Sequence, residues 1–312
     1  MLPLILAMLW VFILPKPEIL NTENAFPLFL FSIKNLIIDR GFQIAFVLIC
    51  ILLQSLALSF VINKHYVLKE NTHLPALLYI VLMSCFPEQL SLSPLIICNF
   101  FNILFLNSVL QCYQNEKTTF HAFDAGFFIG LSTLFYWPSA VLILLLFVSL
   151  FAFKPFYWNE YVAALVGLVI PFIFFSSALF WFDLLSLDRL KQLFEPFIQV
   201  QISAIYNETY ILLFVILSGI VLASVVKFSQ EIGSFSKIKT RKFQLVLIWF
   251  VVFATLAYLV SAKKTMISLS FLSIPLTMLL SNYFISMKRS WLAEILFLSL
   301  LSAIIYNQVI HF

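Results

Sequence analysis

The chain has 312 residues, of which 63% are hydrophobic, 17% aromatic and 10% charged, with a formal net charge of +4. A soluble domain carries about 25% charged residues, so a water-facing surface over the whole molecule is excluded and an all-α, multi-span membrane protein is the class that fits. A transmembrane β-barrel needs period-two alternation in roughly 10-residue segments, and AVLILLLFVSLFAF does not alternate.

Spans are sought as apolar runs of about 20 residues, enough to cross a roughly 30 Å hydrocarbon core. The first run, 2–14, is short and closes at Lys16-Pro17-Glu18; it lacks a basic n-region and a cleavage site, so it reads as a span rather than a signal peptide. In 24–40, Phe29, Ile33, Leu36 and Ile37 share one helical face while Lys34, Asp39 and Arg40 lie elsewhere. That makes 15–40 an outer loop containing an interfacial helix. A clean span, 41–62, precedes NKHYVLKENTH.

The run 74–86 breaks at Phe86-Pro87-Glu88-Gln89, and 94–112 follows with Asn99, Asn102 and Asn107 on one side. Those amides read as interhelical hydrogen-bond glue. QNEKTTFH is a polar turn. The runs 123–136 and 138–153 meet at Trp137-Pro138. As one helix they would measure more than ~45 Å, so two short spans in a tight hairpin are expected. Asp124 and Glu160 sit near the starts of their spans, where the helix dipole favours an acid. Tyr157 and Trp158 form an interfacial aromatic pair.

A full span, 161–182, leads into 183–208, where Leu184, Leu187, Leu190 and Phe194 repeat at helical spacing. This is a second outer amphipathic segment, interrupted at Pro196. Then come 209–226, a basic loop with Lys237, Lys239, Arg241 and Lys242, and spans at 244–262, 265–287 and 290–310. The expected whole, 1–312, is a single integral membrane domain of about 11 spans with two interfacial helices.

With the N-terminus inside, the inner loops hold Lys64, Lys69, Lys117, Lys154, Lys227, Lys237, Lys239, Arg241, Lys242, Lys288 and Arg289. The outer side holds Lys16, Lys34, Arg40, Arg189, Lys191, Lys263 and Lys264. The excess of basic residues on one side orients the chain N-in, C-out.

Glu88, a carboxylate at the boundary of an apolar run, is a candidate functional acid because such a group is costly at membrane depth. Glu18 and Glu23 occupy the first outer loop. Cys50, Cys85, Cys98 and Cys112 form no CxxC pair and read as packed residues. His65, His73 and His121 fall on the inner side and His311 on the outer, so a four-histidine metal centre is not expected. No HExxH, GxSxG, Walker or GxGxxG pattern occurs. No metal, cofactor or nucleic-acid partner is implied.

The segments HLPALLYIVLMSCFPEQLSLSPLIICNFFNILFLN, FDAGFFIGLSTLFYWPS and KPFYWNEYVAALVGLVIPF resemble a family of uncharacterised bacterial inner-membrane proteins, a domain of unknown function, from about residue 25 to the C-terminus. That resemblance implies a multi-pass inner-membrane location and no activity. The rhythm DAGFFIGLSTLFYWPSAVLILLLFVSLFAF, a basic and aromatic turn, and a span ending near Pro171 is more weakly similar to membrane glycosyltransferases of the C superfamily. The implication there is a polyprenyl-phosphate sugar donor and an acidic general base in the first outer loop, here Glu23 or Glu18. Lys16, Arg40, Arg189 and Lys191 are the basic residues placed to meet the lipid phosphate.

Three functions follow as expectations. The first is a structural or assembly component of the cell envelope, whose partners are the bilayer and other envelope membrane proteins. The second is a glycosyltransferase-like enzyme taking a polyprenyl-phosphate lipid. The third is a transporter.

Overall fold

The computed structural model describes residues 40–68, 70–90, 92–113, 117–153, 156–181, 210–231, 238–261, 266–287 and 289–310. Among them lie ten α-helices and no strand. In chain order these are α1 (Arg40–His65), α2 (Leu74–Met83), α3 (Pro94–Gln111), α4 (Thr118–Phe135) and α5 (Leu142–Phe153). The second half supplies α6 (Trp158–Trp181), α7 (Ile211–Glu231), α8 (Ile238–Val260), α9 (Ser273–Ser286) and α10 (Ser290–Ile310). Helix is the form that satisfies every backbone donor and acceptor within its own segment, as lipid requires. The hydroxyls follow suit: Ser84, Thr133, Ser149, Thr277 and Ser281 each donate to the carbonyl four residues back.

Five stretches are long and apolar enough to cross a membrane: Gln43–His65, Pro94–Gln111, Trp158–Trp181, Lys239–Val260 and Ile267–Ser286. Leu74–Met83, Trp137–Phe153, Leu213–Lys227 and Trp291–Asn307 are shorter apolar helices. The run 2–14 and the two interfacial helices expected in 15–40 and 183–208 lie outside the described residues.

The helices alternate in direction, which gives the bundle two distinct ends. One end gathers the end of α2, the start of α3 and the start of α7, where Tyr210 meets Glu88. The other gathers the end of α1, the end of α3 and the start of α8, where His65, Tyr113 and Phe243 meet. Of the described basic residues, Lys64, Lys117, Lys227, Lys239, Arg241, Lys242 and Arg289 fall at this second end, the side on which the sequence groups them, and Arg40 opens α1 at the first.

The Trp-Pro break is a true reversal. Tyr136 leaves α4 in an extended conformation (φ −145°, ψ 100°), and Trp137–Val141 forms a 3-10 turn with Pro138 in its first turn, where a missing N–H costs nothing. Ser139 donates to Thr133 across the turn at 3.2 Å. α5 then runs back, so that Phe153 packs edge-on against Tyr113, 5.5 Å away and close to where α4 begins. Two details differ from the sequence reading. α4 already starts at Thr118, so half of QNEKTTFH is helix rather than turn. The added turn is held because Thr118 is buried in the bundle. Asp124 consequently lies in the second turn, beyond the last unpaired N–H groups, and is exposed, so it is no dipole-favoured first-turn acid. Glu160 does occupy the first turn of α6. Pro171 does not end its span but lies inside α6.

The tightest seam joins α4 to α6. A Cβ added to Gly126 would collide with the carbonyl oxygen of Ala164, and one added to Gly167 with that of Phe123. One added to Gly130 would sit 2.5 Å from the Leu168 oxygen and 2.9 Å from Cγ of Pro171. Gly126 and Gly130 are four apart, so both fall on one face of α4 and let the two backbones touch. The rest of α6 is open: Val162, Leu165, Val166, Val169, Ile173 and Phe174 are exposed. Such an apolar face, on a helix fastened to α4 by the glycine seam and to α5 by the Phe147–Tyr161 ring contact, is what a helix at the lipid boundary of a bundle presents.

Candidate functional site

Short polar connections tie the first end of the bundle together, and Glu88 is at their centre. α2 stops at Met83, and Pro87–Leu90 folds into a 3-10 turn in which the Gln89 N–H donates to Phe86 O at 3.0 Å. This turn has partners far along the chain. Tyr210, just before α7, donates its phenol proton to Glu88 Oε1 at 2.7 Å. Gln89 donates from Nε2 to the carbonyl of Met266 at 3.2 Å, at the head of the 3-10 turn Ile267–Leu272 that leads into α9. Asn307, near the end of α10, donates from Nδ2 to the carbonyl of Cys85 at 3.4 Å. Phe86 is wedged against Tyr210 and Phe214, with ring centroids 5.4 and 5.3 Å away. Five consecutive residues, 85–89, thus hold α7, the approach to α9 and the end of α10.

The Glu88–Tyr210 contact is a short, charge-assisted hydrogen bond. Burial and the adjoining Glu88 carboxylate both hold the Tyr210 phenol above its ordinary range, so it stays a donor. Chemically, this makes Glu88 the acceptor of a fixed proton.

The other proposed acids and cations do not join this picture. Glu18, Glu23, Lys16, Arg189 and Lys191 lie outside the described residues. Arg40 opens α1 at the same end of the bundle as Glu88, but its side chain is not described. Among the described residues no group of three or more His, Cys, Asp or Glu is placed to hold a metal.

Deeper in the bundle, the polar side chains connect helices. Tyr79 of α2 donates to Gln54 Oε1 of α1 at 2.7 Å, and Gln54 Nε2 donates to Ile96 O of α3 at 2.6 Å. Ser132 of α4 donates to Asn102 Oδ1 of α3 at 2.8 Å, beside Cys98, whose Sγ lies 3.0 Å from Ser132 Oγ. Asn99 donates to Ser270 O at 3.0 Å, and Asn107 Oδ1 lies 3.1 Å from His65 Nε2. The three asparagines of α3 are therefore glue between helices, as their spacing suggests. Sequence reasoning missed Gln54, Tyr79, Tyr210 and Asn307, which carry no local motif. It also passed over the glycine seam, although Gly126 and Gly130 show the spacing of a helix-packing motif.

The fold and its hydrogen-bonded interior define a helical membrane protein with several apolar helices long enough to span a bilayer. Within that class, the chain belongs to a family of unknown function, DUF6427, whose model matches residues 26–312. No curated protein and no solved structure matches the chain, and the likeness to glycosyltransferases finds no support among these results.

Proposed function

We propose that this protein is a multi-pass component of the bacterial inner (plasma) membrane that serves a structural or assembly role in the cell envelope. The observation that carries this reading is the use of its polar side chains. Gln54, Gln89, Asn99, Asn102, Asn107 and Asn307 each bond to a different helix or connection. They fix helices to one another, which suits a rigid platform. Glu88 in this reading is a latch for Tyr210 rather than a general base.

The alternating direction of the ten described helices favours a topology of about eleven crossings once the run 2–14 is counted, five of the described stretches being long enough to span outright. The basic end faces the cytoplasm, giving an inner N-terminus and an outer C-terminus. Single cysteines placed at Arg241 and at Trp137, both exposed and at opposite ends of the bundle, in a cysteine-free background test the orientation. A membrane-impermeant maleimide applied to intact spheroplasts should label only the position at Trp137. For the assembly role, the protein is extracted from native membranes in mild detergent and its mass measured. Co-migration with other envelope membrane proteins is expected, and a protein that runs alone at every level of expression sinks the role.

A further inference from the structure

At the basic end, three aromatic rings from three parts of the chain form one cluster. Tyr113, after α3, lies 5.5 Å from Phe153 at the end of α5 and 5.3 Å from Phe243 of α8, and Phe153 and Phe243 are 5.7 Å apart. Two lysines from the first turns of α8 rest on it. Lys239 Nζ is 5.4 Å from the Phe243 ring centre, and Lys242 Nζ is 5.7 Å from that of Tyr113 while donating to Phe153 O at 3.0 Å. His65 meets the Phe243 ring edge-on at 6.2 Å, and the charges of both Lys64 and Lys239 reach its imidazole.

This arrangement works against itself electrostatically. Lys239, Arg241 and Lys242 crowd the start of α8, which has no acid in its first turn, so cations face the positive end of a helix dipole. An anion bound there relieves the mutual repulsion and the dipole mismatch together. The aromatic floor holds both ammonium groups in place through ring faces. Exposed apolar residues flank the cluster: Phe151 on α5, and Leu245 and Trp249 on α8. They offer a surface for acyl chains running down from the headgroup level.

We infer that Lys239 and Lys242, set on the Tyr113–Phe153–Phe243 floor beside Lys64 and His65, form a seat for the headgroup phosphate of an anionic phospholipid. Basic pockets between spans on the cytoplasmic side are suited to such headgroups, and each surface lysine strengthens anionic-lipid binding about fivefold. The seat does not depend on the assembly role.

The full-length protein, purified in detergent, is titrated with phosphatidylglycerol or phosphatidylcholine and bound lipid is counted by native mass spectrometry. Phosphatidylglycerol should be retained in preference to phosphatidylcholine. The Lys239→Gln/Lys242→Gln variant should lose roughly twenty-five-fold in phosphatidylglycerol affinity, while Lys239→Arg/Lys242→Arg keeps it. Arg289→Gln, at the same end but away from the rings, should bind as the parent does. If the double Gln variant does not elute as a single species, Lys239→Gln alone, at an exposed side chain, carries the test with a fivefold loss. Retention unchanged in the Gln variants, or lost equally in Arg289→Gln, overturns the seat. Displacement of phosphatidylglycerol by millimolar inorganic phosphate overturns the lipid as its occupant and points to a soluble phosphate.

Discussion

Adding a single methyl group at Gly126 tests the packing of the whole rim of this bundle. In Gly126→Ala the new Cβ meets backbone, not a side chain that can rotate away: the carbonyl carbon of Ala164 lies 2.9 Å and its Cα 3.1 Å from the ideal Cβ position. The carbonyl oxygen of Ala164 is nearer still, so restoring ordinary contact parts α4 and α6 by about 1 Å or more, a gap that forfeits roughly half of each dispersion contact along the seam. Overpacking of this kind costs about 1–3 kcal/mol, set against a gain of up to ~1 kcal/mol from the better helix propensity of alanine. The net expectation is a loss of roughly 1–2 kcal/mol. Gly219, in α7, provides the control, since its added Cβ meets nothing within 4 Å. Gly219→Ala should be neutral or slightly stabilising. Unfolding of both variants in mixed micelles with rising SDS fraction, followed by far-ultraviolet circular dichroism, measures the difference. If Gly126→Ala is as stable as Gly219→Ala, α4 and α6 do not touch backbone to backbone.

Tyr210→Phe removes a hydrogen bond to a charged acceptor and should cost about 1.5–3 kcal/mol in the same assay. Because the folded Tyr210 phenol is held above its usual value near 10, its contribution is full below that pH and declines as pH rises through it, where the unfolded phenol ionises first. Stability measured from pH 8 to 11 should therefore fall more steeply in the parent than in Tyr210→Phe, and parallel curves would contradict the latch. Gln54→Leu cuts the link from α1 to both α2 and α3. About 1–3 kcal/mol should be lost through the buried groups left behind, read by SDS unfolding and by faster proteolysis in detergent. Cys85, Cys98 and Cys112 are buried, so a bulky maleimide should modify none of these three before unfolding, as intact mass would show.

The helices were largely legible because lipid leaves so few alternatives: apolar length and brief polar punctuation place α1, α3, α6 and α8 directly. The Trp-Pro hairpin followed from the same length argument, since a continuous helix would overshoot the bilayer. Helix ends were harder to read. Whether Thr118 and Phe120 belong to a turn or a helix depends on what Thr118 packs against, and the local sequence is silent on that. At the candidate site, Glu88 stood out because a carboxylate beside an apolar run is conspicuous. Its partner did not, because Tyr210 is separated from it by 122 residues and one tyrosine among 11 carries no mark of such a role. The asparagines of α3 were readable as glue, but not the partner of each.

The turn at Pro87–Leu90 also sets a timetable for biogenesis. Its bonds, with that of the nearby Cys85 carbonyl, reach forward 122, 177 and 222 residues along the chain. A ribosome making about 5–20 residues per second delivers the last of those partners roughly 10–45 s after the turn itself. For that interval Glu88, Gln89 and the Cys85 carbonyl stay at the bilayer margin without their final partners. The early helices must therefore wait, inserted but unlocked, until the last helix arrives to close the bundle.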